Sequence, residues 1–208
     1  MTTQEQRVLE TAIATLHQTT GLGARVVAEP LTVLHCCPFG DGAAAAVVVS
    51  EAVVKRLGIS NPVWIAASVS QSTKGSDTLS DLTANTARAA YERSGVGPQE
   101  LGMVELHDAA TIEEILYAEA LGLCPVGQGG KLVEEGATAL TGRIPINSSG
   151  GLLGLGHPFG PTGLGQIAEI FWQLRGEAGA RQIPNAKPTG LAHMIGLGGT
   201  CIVHVLQR

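Results

Sequence analysis

Aromatic residues are scarce here: Phe, Trp and Tyr together make up 3% of 208 residues. Large rings therefore cannot hold the core. Small and aliphatic side chains must do so, which suits tightly packed α/β layers where helices sit close to a sheet. Positive charge is also scarce. The net charge is −5 and no basic run occurs, which argues against a nucleic-acid or anionic-membrane partner. No apolar run is long enough to span a bilayer. The start Met1-Thr-Thr-Gln-Glu-Gln-Arg7 is polar and lacks the layout of a secretory signal, so the expected location is cytoplasmic. Cysteines stand only at positions 36, 37, 124 and 201. That spacing matches no zinc motif and no CxxC redox pair, so the thiols are expected to stay reduced and no metal site is expected. Hydrophobic residues at 44% are enough to bury a substantial core.

What the chain does have is glycine, concentrated in residues 147–163. That stretch carries one histidine, His157, flanked by Gly156 and Pro158. Glycine lets backbone approach a ligand closely and adopt positive φ, while Pro158 and Pro161 stiffen the loop and remove donors. Thr162 stands where a helix N-cap belongs, and the spacing predicts a helix over 163–175. A histidine held near a helix start is placed for proton transfer or for polarising a carbonyl.

Periodicity predicts helices over residues 4–18, 51–57, 81–94 and 111–121, with glycines closing the first three. Strands are expected over 30–34, 43–50, 63–69, 101–106, 188–195 and 201–206. The apolar run 43–50 reads as a strand buried on both faces, and 122–146 reads as a loop with a short excursion. Strands alternating with helices imply a mixed, mostly parallel sheet covered by helices. In such sheets the active groups gather at strand ends and in the loops that follow. His107, His157 and the turn at residues 196–199 all hold such positions.

Four segments together resemble the thiolase superfamily, in its sterol-carrier-protein-x and archaeal branch. Cys37-Pro-Phe-Gly-Asp-Gly-Ala-Ala-Ala45 resembles the hairpin that closes the family's N-terminal half. Val104-Glu-Leu-His107-Asp108-Ala109 resembles the His-Asp loop. Gly156-His157-Pro158 resembles the Gly-His-Pro loop, and His193-Met-Ile-Gly-Leu-Gly-Gly199 resembles the last catalytic loop. Gln173-Leu-Arg-Gly-Glu-Ala-Gly179 is also similar to this branch. The resemblance runs from residue 26 to 208. It implies one half of the duplicated βαβαββ fold, with residues 1–25 as an N-terminal helical extension.

The resemblance also implies chemistry on acyl-CoA: an acyltransferase of lipid metabolism that makes or breaks a carbon–carbon bond. Coenzyme A would be a substrate, with no cofactor bound covalently. His157 would activate a cysteine thiol. His107 would polarise the thioester oxygen or move the α-proton, and Asp108 would orient the loop. His193 is a third catalytic candidate. Gly156, Gly196, Gly198 and Gly199 are candidates for an oxyanion and substrate loop, with a plain hairpin turn as the alternative for the last three. His17, His35 and His204 are read as ordinary. Three departures matter. Ala110 replaces an expected aromatic residue, Ala109 leaves no cysteine in the His-Asp loop, and Met194 holds the place of a second catalytic cysteine in other thiolases.

The nucleophile belongs to the family's N-terminal half, which residues 1–25 do not resemble. A partner chain carrying that half is therefore expected, giving a hetero-oligomer. The branch also suggests a small zinc-ribbon/OB-fold partner of the DUF35 type. Retro-aldol cleavage of an acyl-CoA, or a non-catalytic structural role, are the alternatives.

Overall fold

The computed structural model describes residues 24–208. The helix expected over 4–18 and His17 lie outside the described residues. A two-stranded antiparallel ribbon, β1 (Val26–Ala28) and β2 (Leu31–Thr32), opens the described part. The strand expected over 30–34 stops early because Thr32 turns the chain. His35 Nδ1 accepts the Thr32 N–H at 2.9 Å, and Val33–His35 forms a single 3₁₀ turn.

The main sheet contains β3 (Trp64–Ser72), β4 (Met103–Glu105), β5 (Thr189–Gly196) and β6 (Thr200–Gln207), in the order β3-β6-β5-β4. Residue Ile146 adds a parallel bridge to Val104 beyond β4. The sheet is mixed, as expected. β3, β4 and β5 point the same way and only β6 is reversed. Because β6 lies between β3 and β5, two of the three pairings are nonetheless antiparallel.

Helices α1 (Glu51–Leu57), α2 (Leu79–Ser94), α3 (Thr111–Ala120), α4 (Gly129–Glu134), α5 (Gly151–Leu155) and α6 (Thr162–Arg175), with a second 3₁₀ turn at Gly179–Arg181, complete the described elements. α2 begins two residues before the expected start because Thr78 and Asp81 form a reciprocal capping box. Gly95, at φ 69°, ends it. One face of the sheet buries Val69, Val203 and Val205 with Leu82 of α2 and Tyr117 of α3. The other face packs Met103, Ala192 and Leu206 against Ile170 and Leu174 of α6.

Three expectations need correction. Residues 43–50 form no strand, and Val47 and Val48 are 91% and 73% exposed. No strand among the described residues lies alongside to complete a ladder, and a lone strand has nothing to repay its ordering. The segment 122–146 holds α4, whose start is fixed by Glu119 Oε1 accepting the Gly129 N–H at 2.7 Å. Thr162 is the first helical residue rather than the cap, and its hydroxyl turns back to donate to the Pro158 carbonyl at 2.7 Å.

The seam between α6 and β5 is closed by a missing side chain. A Cβ on Gly190 would lie 2.5 Å from Ile170 Cγ2 and 3.1 Å from Met103 Cγ. Gly190→Ala should therefore overpack the smaller core cluster and cost about 1–3 kcal/mol, read as a lower Tm and denaturation midpoint. An unchanged midpoint would show slack in this seam.

Candidate active site

Strand β4 carries the chain to His107 and Asp108, and two carboxylates and an amide then fasten the following loops. Asn147 donates its backbone N–H to the Val104 carbonyl and accepts the Leu106 N–H on its side chain, both at 2.8 Å. Asn147 adopts φ 51°, a left-handed conformation that asparagine tolerates. Glu105 takes both hydroxyls and the backbone N–H of the Ser148-Ser149 turn: Ser148 Oγ at 3.0 Å, Ser149 N at 3.1 Å and Ser149 Oγ at 2.5 Å. Asp108 accepts the Leu152 N–H at 2.7 Å, which satisfies a donor at the start of α5. Gly151 allows this approach, since a Cβ there would collide with Asp108 Oδ2.

A third strip of chain ties the two histidine loops together. Cys37 N–H donates to the Ala109 carbonyl and His157 N–H to the Pro38 carbonyl, each at 2.8 Å. Gly156, at φ 84°, makes the bend that precedes His157. The result brings His107 and His157 edge to face, with ring centroids 5.2 Å apart at 84°. Both are buried. Phe159 stands on the other side of His157, 4.7 Å away.

The hydrogen bonds assign the tautomers. Thr162 gives its only proton to the Pro158 carbonyl, so it accepts from His157 Nδ1 at 2.9 Å. His107 Nδ1 lies 3.1 Å from Glu113 Oε2, and a carboxylate can only accept. In its neutral form each imidazole therefore carries its hydrogen on Nδ1 and presents a bare Nε2. Burial, and then the charge His107 can carry, push the His157 pKa below its ordinary value. His157 is thus held as a neutral base.

Of the eight site candidates, His107, Asp108, Gly156 and His157 come together. His193 makes its contacts elsewhere. It is fully buried, its Nε2 bonds Thr83 Oγ1 at 3.0 Å, and its ring leans on Tyr117 at 4.7 Å. Burial, reinforced by His107, pushes its pKa down to about 3, which keeps it neutral. Gly196, Gly198 and Gly199 lie at the β5–β6 hairpin turn, where Gly198 and Gly199 take φ 85° and 76°. Gly196 also lines a cleft of about 570 Å³ with Phe159, Met194 and His204.

Two site residues were not anticipated. Glu113 sits in the first turn of α3 and also accepts the Ala109 N–H at 2.8 Å. A glutamate in a first helical turn, directly after a histidine loop, was the available signal. Cys37 lies beside the Ala109 carbonyl, between the loops. Burial, then Asp108 and Glu113, push its pKa up, so it is held as a thiol and makes a poor nucleophile. Among the described residues no group of three or more His, Cys, Asp or Glu could hold a metal ion.

Residues 66–208 match the family model described as thiolase C-terminal domain-like. The chain belongs to the thiolase family. It is 46% identical over 190 residues to sterol carrier protein 2 of Rattus norvegicus, covering 86% of this chain and 35% of that one. It is 43% identical over 182 residues to the benzoylsuccinyl-CoA thiolase subunit BbsB of Thauera aromatica, covering 85% and 47%. Acetyl-CoA acetyltransferase of Methanothermobacter thermautotrophicus is 42% identical over 194 residues, covering 90% and 50%. The chain thus spans half or less of the length of these relatives. A solved structure titled Ltp2-ChsH2(DUF35) aldolase superposes with a TM-score of 0.74 at 23% identity, over 93% of this chain and 50% of that one. It shares the thiolase-like fold.

The carboxylate that clamps the Ser148-Ser149 turn leaves a thermodynamic signature. Burial raises the Glu105 pKa from 4.5 to about 7. A raised folded-state value means that the folded protein binds the proton more tightly than the unfolded chain. Its contribution is complete below 4.5 and is lost as pH rises through about 7. Asp108, raised to about 6, acts in the same sense at lower pH. His193 acts oppositely, and only below its ordinary 6.5. The denaturation midpoint should therefore fall between pH 6 and pH 8, and Glu105→Gln should flatten that fall. A variant with the wild-type slope would show that Glu105 is ionised throughout.

Proposed function

We propose that this chain is one subunit of a split thiolase-like acyl-CoA acyltransferase whose nucleophilic cysteine comes from a partner chain. The observation that carries this reading is the pair His107 and His157, two buried imidazoles with bare Nε2 atoms, beside a cysteine held as a thiol. The base is in place and the thiolate is not.

In this reading His157 Nε2 takes the proton from the partner's thiol. The thiolate attacks the thioester carbonyl, the carbonyl π electrons move to oxygen, and collapse of the adduct expels coenzyme A, which leaves as a thiol with the proton from His157. Asp108 and Gly156 keep the two loops in register. Gly196, Gly198 and Gly199 are assigned to the rim of the substrate site, and His193 to a supporting place behind His107. Coenzyme A is a substrate, and no cofactor is needed.

The uncovered surface supports a partner. The apolar residues 43–49 carry no ladder. A cleft of about 540 Å³ runs between Ala44, Leu155, Pro161 and Trp172, and Leu155 is 70% exposed. Apolar surface of this kind is covered in a working assembly. One relative is itself named as a thiolase subunit. We place the family's N-terminal half on this face and, after the branch, a small zinc-ribbon/OB-fold protein of the DUF35 type beside it, in a cytoplasmic complex.

Co-expression with a chain carrying the N-terminal half should convert a poorly soluble protein into a defined hetero-oligomer on light scattering. A monodisperse monomer on its own would count against the assembly. Acyl-CoA should then add acyl mass to the partner's cysteine, and His157→Ala should slow that transfer about 10²–10⁴-fold while the complex stays intact. The held thiol at Cys37 favours one other outcome. If no chain gains acyl mass, yet a β-hydroxyacyl-CoA is cleaved to a carbonyl product and a shorter acyl-CoA, the protein is a retro-aldolase subunit. Neither activity in a verified complex would leave a structural subunit.

A further inference from the structure

The two histidines differ in what stands behind them. His157 Nδ1 is backed by the neutral hydroxyl of Thr162. His107 Nδ1 is backed by Glu113, a carboxylate that nothing in the sequence motifs assigns. Glu113 is itself held in place. It accepts the Ala109 N–H at 2.8 Å, and the Tyr117 hydroxyl approaches its other oxygen at 3.5 Å. It therefore cannot swing away without leaving a backbone donor at the entry to α3 unmatched.

This geometry limits what His107 can do. Its hydrogen faces Glu113, so the neutral ring has no proton on Nε2 to offer a carbonyl oxygen. It has a lone pair there, and a proton arriving at Nε2 makes an imidazolium 3.1 Å from a carboxylate. Orientation of a histidine by a carboxylate on Nδ1, with stabilisation of the cation that forms, is the logic of a catalytic triad. The other groups around His107 do not compete. Asp108 is occupied by the Leu152 N–H, His157 and His193 are held neutral, and the Cys37 and Tyr117 groups are held protonated.

The His-Asp loop has Ala109 where a thiol could have served, and His193 is sealed inside. Among the described residues His107 is then the base left for a second proton, the one on the substrate α-carbon. We infer that Glu113 is the positioning residue that makes His107 the α-carbon base, a role that rests on the acyl-CoA reading above. The Cα–H bond breaks, its electron pair stays on the thioester as the enolate, and the proton goes to His107 Nε2. Glu113 keeps the ring aimed and offsets its new charge. His157 serves the thiol and His107 serves the carbon.

The test separates the two protons. The purified complex is incubated with acetyl-CoA in D₂O, and exchange of the acetyl C–H for deuterium is followed by NMR, alongside acylation of the partner's cysteine by intact mass. Wild type should exchange. Glu113→Gln should slow exchange about 10²-fold or more while acylation stays within a few-fold, and Glu113→Asp should restore part of the exchange. His107→Ala should slow exchange in the same way. A ¹⁵N-histidine spectrum of the wild-type complex should show the neutral His107 ring with its hydrogen on Nδ1, a readout that needs no variant to fold and no substrate. The inference is overturned if wild type does not exchange, if Glu113→Gln slows acylation and exchange alike, or if His107 carries its hydrogen on Nε2. If exchange depends on Glu113 but no acyl mass appears, the acyl-cysteine reading fails and the role of Glu113 stands.

Discussion

The hydrogen bond from Leu152 N–H to Asp108 holds the site together. It joins the end of a sheet strand to the start of a five-residue helix that could not be stable alone. Asp108 is adjacent to His107, and α5 leads through Gly156 directly to His157. One carboxylate thus sets the distance between two histidines that lie fifty residues apart in the chain. Glu105, two residues before His107, repeats the device on the Ser148-Ser149 turn. The strand end is clamped on both sides, so the loop inherits the sheet's rigidity.

Such clamps have an energetic cost, which explains the unusual titration of this region. Glu105 and Asp108 are buried and raised toward neutrality, and each is drawn back only by the donors it serves. Their energy is spent on geometry rather than on global stability. The same low-dielectric surroundings keep His157 unprotonated and Cys37 protonated. A site arranged this way favours a base over a nucleophile. This is the physical reason for assigning the thiolate to another chain.

The sheet is covered unequally. α2 and α3 bury one face against the larger core cluster, whereas α6 covers the other face over β4, β5 and Leu206 of β6 with a smaller one. Trp172 and Phe171 of α6 remain exposed, and Trp172 lines a cleft with Ala43, Ala44 and Ala45 of the unladdered segment. In the proposed assembly the family's N-terminal half covers this surface.

The sequence by itself determined the helices and strands with strong local signals. α2 and α6 carry 3.6-residue spacing and end in left-handed glycines. β5 and β6 are apolar runs around a glycine turn. The His107-Asp108 and Gly156-His157 loops were legible because their residue types are short-range and distinctive. Tertiary structure decided the rest. Residues 43–50 look like a buried strand, but a strand exists only where a neighbour accepts its hydrogen bonds. Local signals also marked His193 and the turn at 196–199 as site candidates, yet the sheet turns His193 into the interior. Glu113, Thr162 and Cys37 acquired their places only when three loops met, because the protonation of a group is set by what surrounds it in space and not by its neighbours in the chain.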